Sequence, residues 1–129
     1  MKKHILAVDD EQAIRDILQE SLTMSGYRVS TAATLDEARK IARADRPDLV
    51  ILDVQFEECD GFVLIDEFKK LCPDSPILLL TGIIFGDGAA RQAIEKKVAC
   101  YLDKTVPLSR ILDEVRRLIG YSETPATGK

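Results

Sequence analysis

ILAVDDE, residues 5–11, sets four apolar residues directly against three acids. The same kind of join recurs at LVILD (49–53), while ILLLT (77–81) ends an apolar run on a hydroxyl and VACYLDK (98–104) ends one on an amine. Each run is short and continuous rather than alternating, which suits strands covered on both faces, as in a parallel sheet. A fifth, weaker run, YRVSTAA (27–33), alternates more and is expected at a sheet edge. The acids need a reason. Two like charges about 4 Å apart repel by roughly 1 kcal/mol in water and by about 4 near a protein surface. An Asp as helix N-cap, or acids in a first turn, would account for one or two of them.

Between the runs lie segments of helical period. In residues 11–26, Ile14, Ile17, Leu18, Leu22 and Met24 form one stripe, with Gly26 placed as the residue after the C-cap. Thr34 and Glu37 make a capping-box pattern ahead of LDEARKIARA, which ends before Pro47. Residues 61–71 and 87–97 are two further helices, and Pro107 opens a last one over 108–119 with Gly120 behind it. Strand and helix therefore alternate five times. That order predicts a single α/β domain with right-handed crossovers and helices on both faces. The domain is expected over residues 1–120. Residues 121–129, YSETPATGK, have the small polar composition of a flexible tail or the start of a linker.

A chain of 129 residues suffices for one such core. A net charge of −4 with scattered Lys and Arg argues against a nucleic-acid surface. No apolar stretch reaches the length of a membrane span. Cys59, Cys72 and Cys100 have no CxxC spacing, so neither a disulfide framework nor a zinc site is suggested, and a reducing cytoplasmic setting is expected. His4, before the first strand, is expected at the surface rather than as a phosphate carrier.

In a parallel sheet all strand carboxyl ends share one edge, where ligands of open α/β folds bind. Asp9, Asp10, Asp53, Thr81 and Lys104 would converge there. Taken singly, each has an ordinary explanation as a cap, a strand residue or a solvated lysine. Their joint place on four strand ends does not. Clustered carboxylates call for a hard cation such as Mg²⁺. A neighbouring amine and hydroxyl suit a phosphoryl group, with one carboxylate as nucleophile. No GxxxxGK[ST] loop is present to cradle a nucleotide.

VDDE at the first strand end, LD at the third with DG further on (DVQFEECDG), LLTG and YLDK together resemble the receiver domain of two-component response regulators. The resemblance spans about residues 3 to 120. It implies a flavodoxin-like, doubly wound five-stranded parallel sheet of order 2-1-3-4-5 that accepts phosphate from a sensor histidine kinase or phosphotransfer protein. Carried over by position, Asp53 is the phosphoacceptor. Asp10, Asp53 and the backbone carbonyl of Gln55 are Mg²⁺ ligands, with Asp9 acting through water. Lys104 would pair with a phosphoryl oxygen and Thr81 would move onto the phosphate. Tyr101 would turn inward with it, and Gly82 would leave backbone access. A homodimer through the 87–97 helix, the last strand and the last helix is also implied as an option.

Four departures from that pattern stand out. Phe56-Glu57 replaces the usual Met-Pro, Gly82 the commoner Ala, and Thr105 the usual Pro, while IIFGDG (83–88) carries two glycines. None removes an acid, the hydroxyl or the amine. Because a cis bond costs about 2.5–4 kcal/mol without proline, Lys104–Thr105 is expected to be trans, with Lys104 still aimed at Asp53 but held more loosely than usual in the family. Two other functions compete: a non-phosphorylated interaction domain, and a Mg²⁺-dependent phosphatase with an Asp nucleophile. The phosphatase would want an acid where Gln55 stands. The polar tail leans toward a receiver that fronts a longer regulator.

Overall fold

A computed structural model describes residues 2–53, 61–82, 92 and 95–120. In chain order the elements are β1 (His4–Val8), α1 (Gln12–Met24), β2 (Arg28–Ala32), α2 (Leu35–Ala44), β3 (Leu49–Leu52), α3 (Gly61–Leu71), β4 (Ile77–Thr81), β5 (Cys100–Asp103) and α4 (Leu108–Ile119). The strands form one parallel sheet of order β2-β1-β3-β4-β5. This is the flavodoxin-like arrangement expected from the sequence. The 87–97 helix lies mostly outside the described residues, although Gln92 and 95–97 are helical.

Alternate strand residues feed two cores. Leu6, Val8, Val50, Leu52 and Leu79 pack with Ala38 and Ala42 of α2 and Leu64, Ile65 and Phe68 of α3. Ile5, Ala7, Ile51, Leu78 and Leu80 pack with Leu18 and Leu22 of α1 and Ile111 and Val115 of α4. That two-sided burial is why the strands read as unbroken apolar runs. Truncating one of these leucines to Ala is expected to cost about 2–5 kcal/mol. Edge strand β2 is less apolar because its outer residues are only partly covered.

Local signals account for the helix ends. Thr34 Oγ1 accepts from the Glu37 amide at 3.2 Å, and Glu37 Oε1 accepts from the Thr34 amide at 3.3 Å, closing the capping box. Gly26 follows α1 at φ 99°, a conformation that side chains with a Cβ avoid. Gly120 ends α4 at φ 74°, and its carbonyl accepts from the Tyr27 hydroxyl at 2.7 Å. No helix among the described residues is long and apolar enough to cross a membrane.

Four expectations need correction. His4 is not a surface residue: it is the first residue of β1, 1% exposed, with Nε2 2.7 Å from Ser30 Oγ. The strand starts one position earlier than the apolar run, so His4 inherits the sheet's two-sided cover. The α1 stripe is narrower than its apolar residues, since Ile17 and Met24 are 48% and 82% exposed while Leu18 and Leu22 are buried. Pro107 is the N-cap of α4 rather than a first-turn residue. The last strand covers 100–103, beginning two residues into the apolar run that starts at Val98; before it, the Ala99 amide already bonds the Ile77 carbonyl at 2.9 Å.

Candidate functional site

The carboxyl ends of β1, β3, β4 and β5 lie along one edge of the sheet. The Asp53 amide donates to the Val8 carbonyl at 3.1 Å, extending the β1–β3 ladder and holding Asp53 beside the acids after β1. On the far side the Lys104 amide donates to the Thr81 carbonyl at 3.1 Å. Arg15, one turn into α1, donates to the Asp9 carbonyl at 2.8 Å and ties that helix to the strand end.

Carboxylate oxygens of Asp9, Asp10, Glu11 and Asp53 lie within 4.8 Å of one another. Asp9 and Asp53 are buried, whereas Asp10 and Glu11 are exposed. None of the three acids of the opening stretch caps α1 by a side-chain bond: Glu11 is the N-cap residue and makes none. Asp9 Oδ1 instead accepts from the Glu11 amide at 2.8 Å, which folds the acidic turn back on itself. The helix-cap explanation therefore does not account for the cluster.

Lys104 enters from the β5 side. Its Nζ is 2.8 Å from Asp53 Oδ2, 3.0 Å from Asp9 Oδ2 and 2.5 Å from Glu11 Oε1. Burial works against the Lys104 charge, but the bonds to Asp53, Glu11 and Asp9 outweigh it and lift its pKa above the usual lysine value. Burial pushes the Asp9 carboxyl up, with the Glu11 amide and Lys104 acting in opposition. The Lys104–Thr105 peptide is trans, since the described residues contain no cis bond, and Lys104 reaches Asp53 all the same, held by three carboxylates rather than loosely as expected. The Thr105 amide and hydroxyl both donate to Asp103 Oδ1 at 2.8 Å, a local turn that proline could not make.

Thr81 is fully buried at the end of β4, opposite Asp103, and Gly82 after it is exposed. Tyr101 stands opposite Leu79, half-buried against the α2–α3 core. Gln55, Phe56-Glu57 and IIFGDG lie outside the described residues. The structure thus brings together Asp9, Asp10, Asp53 and Lys104, and adds Glu11, whose contact with Lys104 the sequence reading missed. Its place as third acid of the run was the available signal. An all-oxygen set of carboxylates suits a hard divalent cation, and Mg²⁺ uses one or two of them with waters.

The model of the response regulator receiver domain family matches residues 5–116. The chain belongs to that family, whose members are signalling domains of two-component systems. It is 39% identical over 125 residues to the "Probable transcriptional regulator ycf27" of Cyanophora paradoxa, covering 96% of this chain and 51% of that protein. It therefore spans about half the length of that curated relative. Among solved structures, a receiver domain protein of Methanospirillum hungatei superposes with a TM-score of 0.81 at 26% identity, covering 91% of this chain and 93% of the other. The response regulator TrrA of Thermotoga maritima, solved in complex with Mg²⁺ and BeF, gives 0.76 at 32% identity over 90% and 98% of the two chains.

Proposed function

We propose that this chain is a phosphorylatable switch in which Asp53 takes a phosphoryl group from a histidine kinase or phosphotransfer protein. The supporting observation is the placement of Lys104 Nζ 2.8 Å from Asp53 Oδ2 inside a four-carboxylate cluster. An Asp53 oxygen bonds to phosphorus as the donor's P–N bond breaks, and the electron pair leaves on the imidazole nitrogen. Mg²⁺, held by Asp10, Asp53 and the Gln55 carbonyl with Asp9 through water, would neutralise the charge that gathers on the transferring group. Lys104 donates to one phosphoryl oxygen and Thr81 to another. Gly82 leaves the approach open, and Tyr101 follows Thr81 inward to change the face made by the 87–97 helix, β5 and α4. That face then controls an output partner, joined domain or second copy of the chain. Residues 1–120 act as the domain, with 121–129 as a flexible tail or the start of a linker, in a cytoplasmic protein.

The test is mass spectrometry after incubation with acetyl phosphate and Mg²⁺. One phosphoryl group is expected, absent with chelator and absent in Asp53→Ala. No uptake under these conditions would favour a non-phosphorylated interaction domain, and sustained turnover of a phosphate monoester would favour the phosphatase.

A further inference from the structure

An ammonium has three N–H donors, and Lys104 has a carboxylate partner for each: Asp9, Glu11 and Asp53. To donate to a phosphoryl oxygen it must give one up. The three are not equal. The Asp9 and Asp53 side chains are 4% and 1% exposed, so in metal-free, unphosphorylated protein leaving either without a partner strands a buried charge. The Glu11 side chain is 57% exposed and is rehydrated as soon as it lets go. A divalent ion held by Asp10 and Asp53, with Asp9 through water, would satisfy the inner acids, and a phosphoryl group of about −1.5 to −2 charge repels the outer one. With the inner acids so occupied, Glu11 is the partner that the phosphoryl group must displace from Lys104.

We propose that Glu11 is a positioning residue, a releasable counter-ion that detains Lys104 at the rim and competes with the phosphoryl group on Asp53 for it. This rests on the switch reading above. The reach depends on side-chain length. The Glu11 backbone is pinned by its amide bond to Asp9 Oδ1, so the glutamate's two methylenes carry its carboxylate to the ammonium. Aspartate at this position keeps the charge but falls a methylene short. Contact and charge can therefore be separated by two variants.

The experiment compares wild type, Glu11→Gln and Glu11→Asp. It reads the Lys104 Nζ resonances by NMR in metal-free protein, the Mg²⁺ affinity, and the beryllofluoride affinity at saturating Mg²⁺. Both variants are expected to shift the Lys104 resonances and to bind beryllofluoride about twofold to fivefold more tightly, the range of a partly exposed ion pair. Only Glu11→Gln should weaken Mg²⁺ binding, because only it loses the charge. The gain in beryllofluoride affinity should shrink as salt rises. A role confined to folding would lower the melting temperature and leave beryllofluoride affinity alone, which overturns the inference. So would a Glu11→Asp variant that matches wild type, or a Lys104 signal indifferent to both changes. A wild-type protein that binds Mg²⁺ yet no beryllofluoride rejects the switch reading, and the inference falls with it.

Discussion

The backbone amide of Lys104 donates to the carbonyl of Thr81 at 3.1 Å, one step beyond the strand pair of Thr81 with Asp103. The amine and the hydroxyl that would serve a phosphoryl group are thus carried by adjacent, bonded strands. Tyr101 lies on the same β5 strand, three residues before Lys104.

Thr81→Ala tests whether the hydroxyl drives Tyr101. The variant should still take up beryllofluoride, with stability lowered by about 1 kcal/mol from the loss of a buried side chain. The change in Tyr101 ring signals that accompanies uptake in wild type should fall by more than half. NMR spectra of both proteins with and without beryllofluoride decide it, and an undiminished Tyr101 response would remove Thr81 as its source.

Lys104→Met leaves Asp9, Glu11 and Asp53 facing one another without the cation that joins them. Metal-free protein should lose about 2 kcal/mol, less than the 3–5 typical of breaking a fully buried pair, because the rim is open to water. Millimolar Mg²⁺ should return most of that loss. Thermal melts in chelator and in Mg²⁺ measure both numbers. A loss unaffected by Mg²⁺ would mean that packing of the lysine stem, not charge, was responsible.

Asp10→Asn should weaken Mg²⁺ binding about tenfold, equivalent to roughly 1.4 kcal/mol, and Asp9→Asn less. Both oxygens of Asp9 already have partners, the Glu11 amide on Oδ1 and Lys104 on Oδ2. Asp10 is exposed beside them. Calorimetric Mg²⁺ titrations of the two variants check the order, and equal losses would contradict it.

Arg39 on α2 grips Glu67 on α3 through Nε and through Nη2, the latter at 3.0 Å to Oε1. Its hydrogen bond holds the Glu67 carboxyl below the usual glutamate range. A lowered folded pKa means stabilisation that is complete above the unfolded value, about 4.3, and that drains away as pH falls through the folded one. Glu67→Gln should therefore cost about 0.5 kcal/mol at pH 7 and progressively less below about pH 4. Urea midpoints at pH 7 and 3.5 give the two values, and a gap that widens in acid would reverse the sign.

Much of this molecule is legible in its sequence because burial writes itself into residue type. Leu49–Leu52 is buried at every position and reads as a strand without help. Asp53 and Lys104 could be placed at one edge because parallel strands leave no other arrangement. What resisted reading depends on neighbours distant in the chain. His4 looks like a surface residue until Arg28 lies across from it and Ser30 meets its ring. Ile17 and Leu18 are equally apolar, yet only Leu18 finds the α1 face of the sheet. Glu11 shows its acidity in the sequence, but not that its side chain spans the rim to an amine 93 positions away. Local patterns record environment, whereas flexible charged side chains choose partners only after the fold exists.

The Tyr27 hydroxyl, donating to the Gly120 carbonyl, joins the start of β2 to the end of α4. Tyr27 precedes β2, so this bond fastens the end of α4 at the side from which the strands depart. Asp53 sits at their arrival side, separated by the run of a five-residue strand, roughly 16 Å. The carboxyl end of α4 is thus remote from the acidic cluster. Under the switch reading, a change at Asp53 would reach this end of α4 only as mechanical displacement along β5 and α4, with Tyr27 as the anchorage against which it is felt.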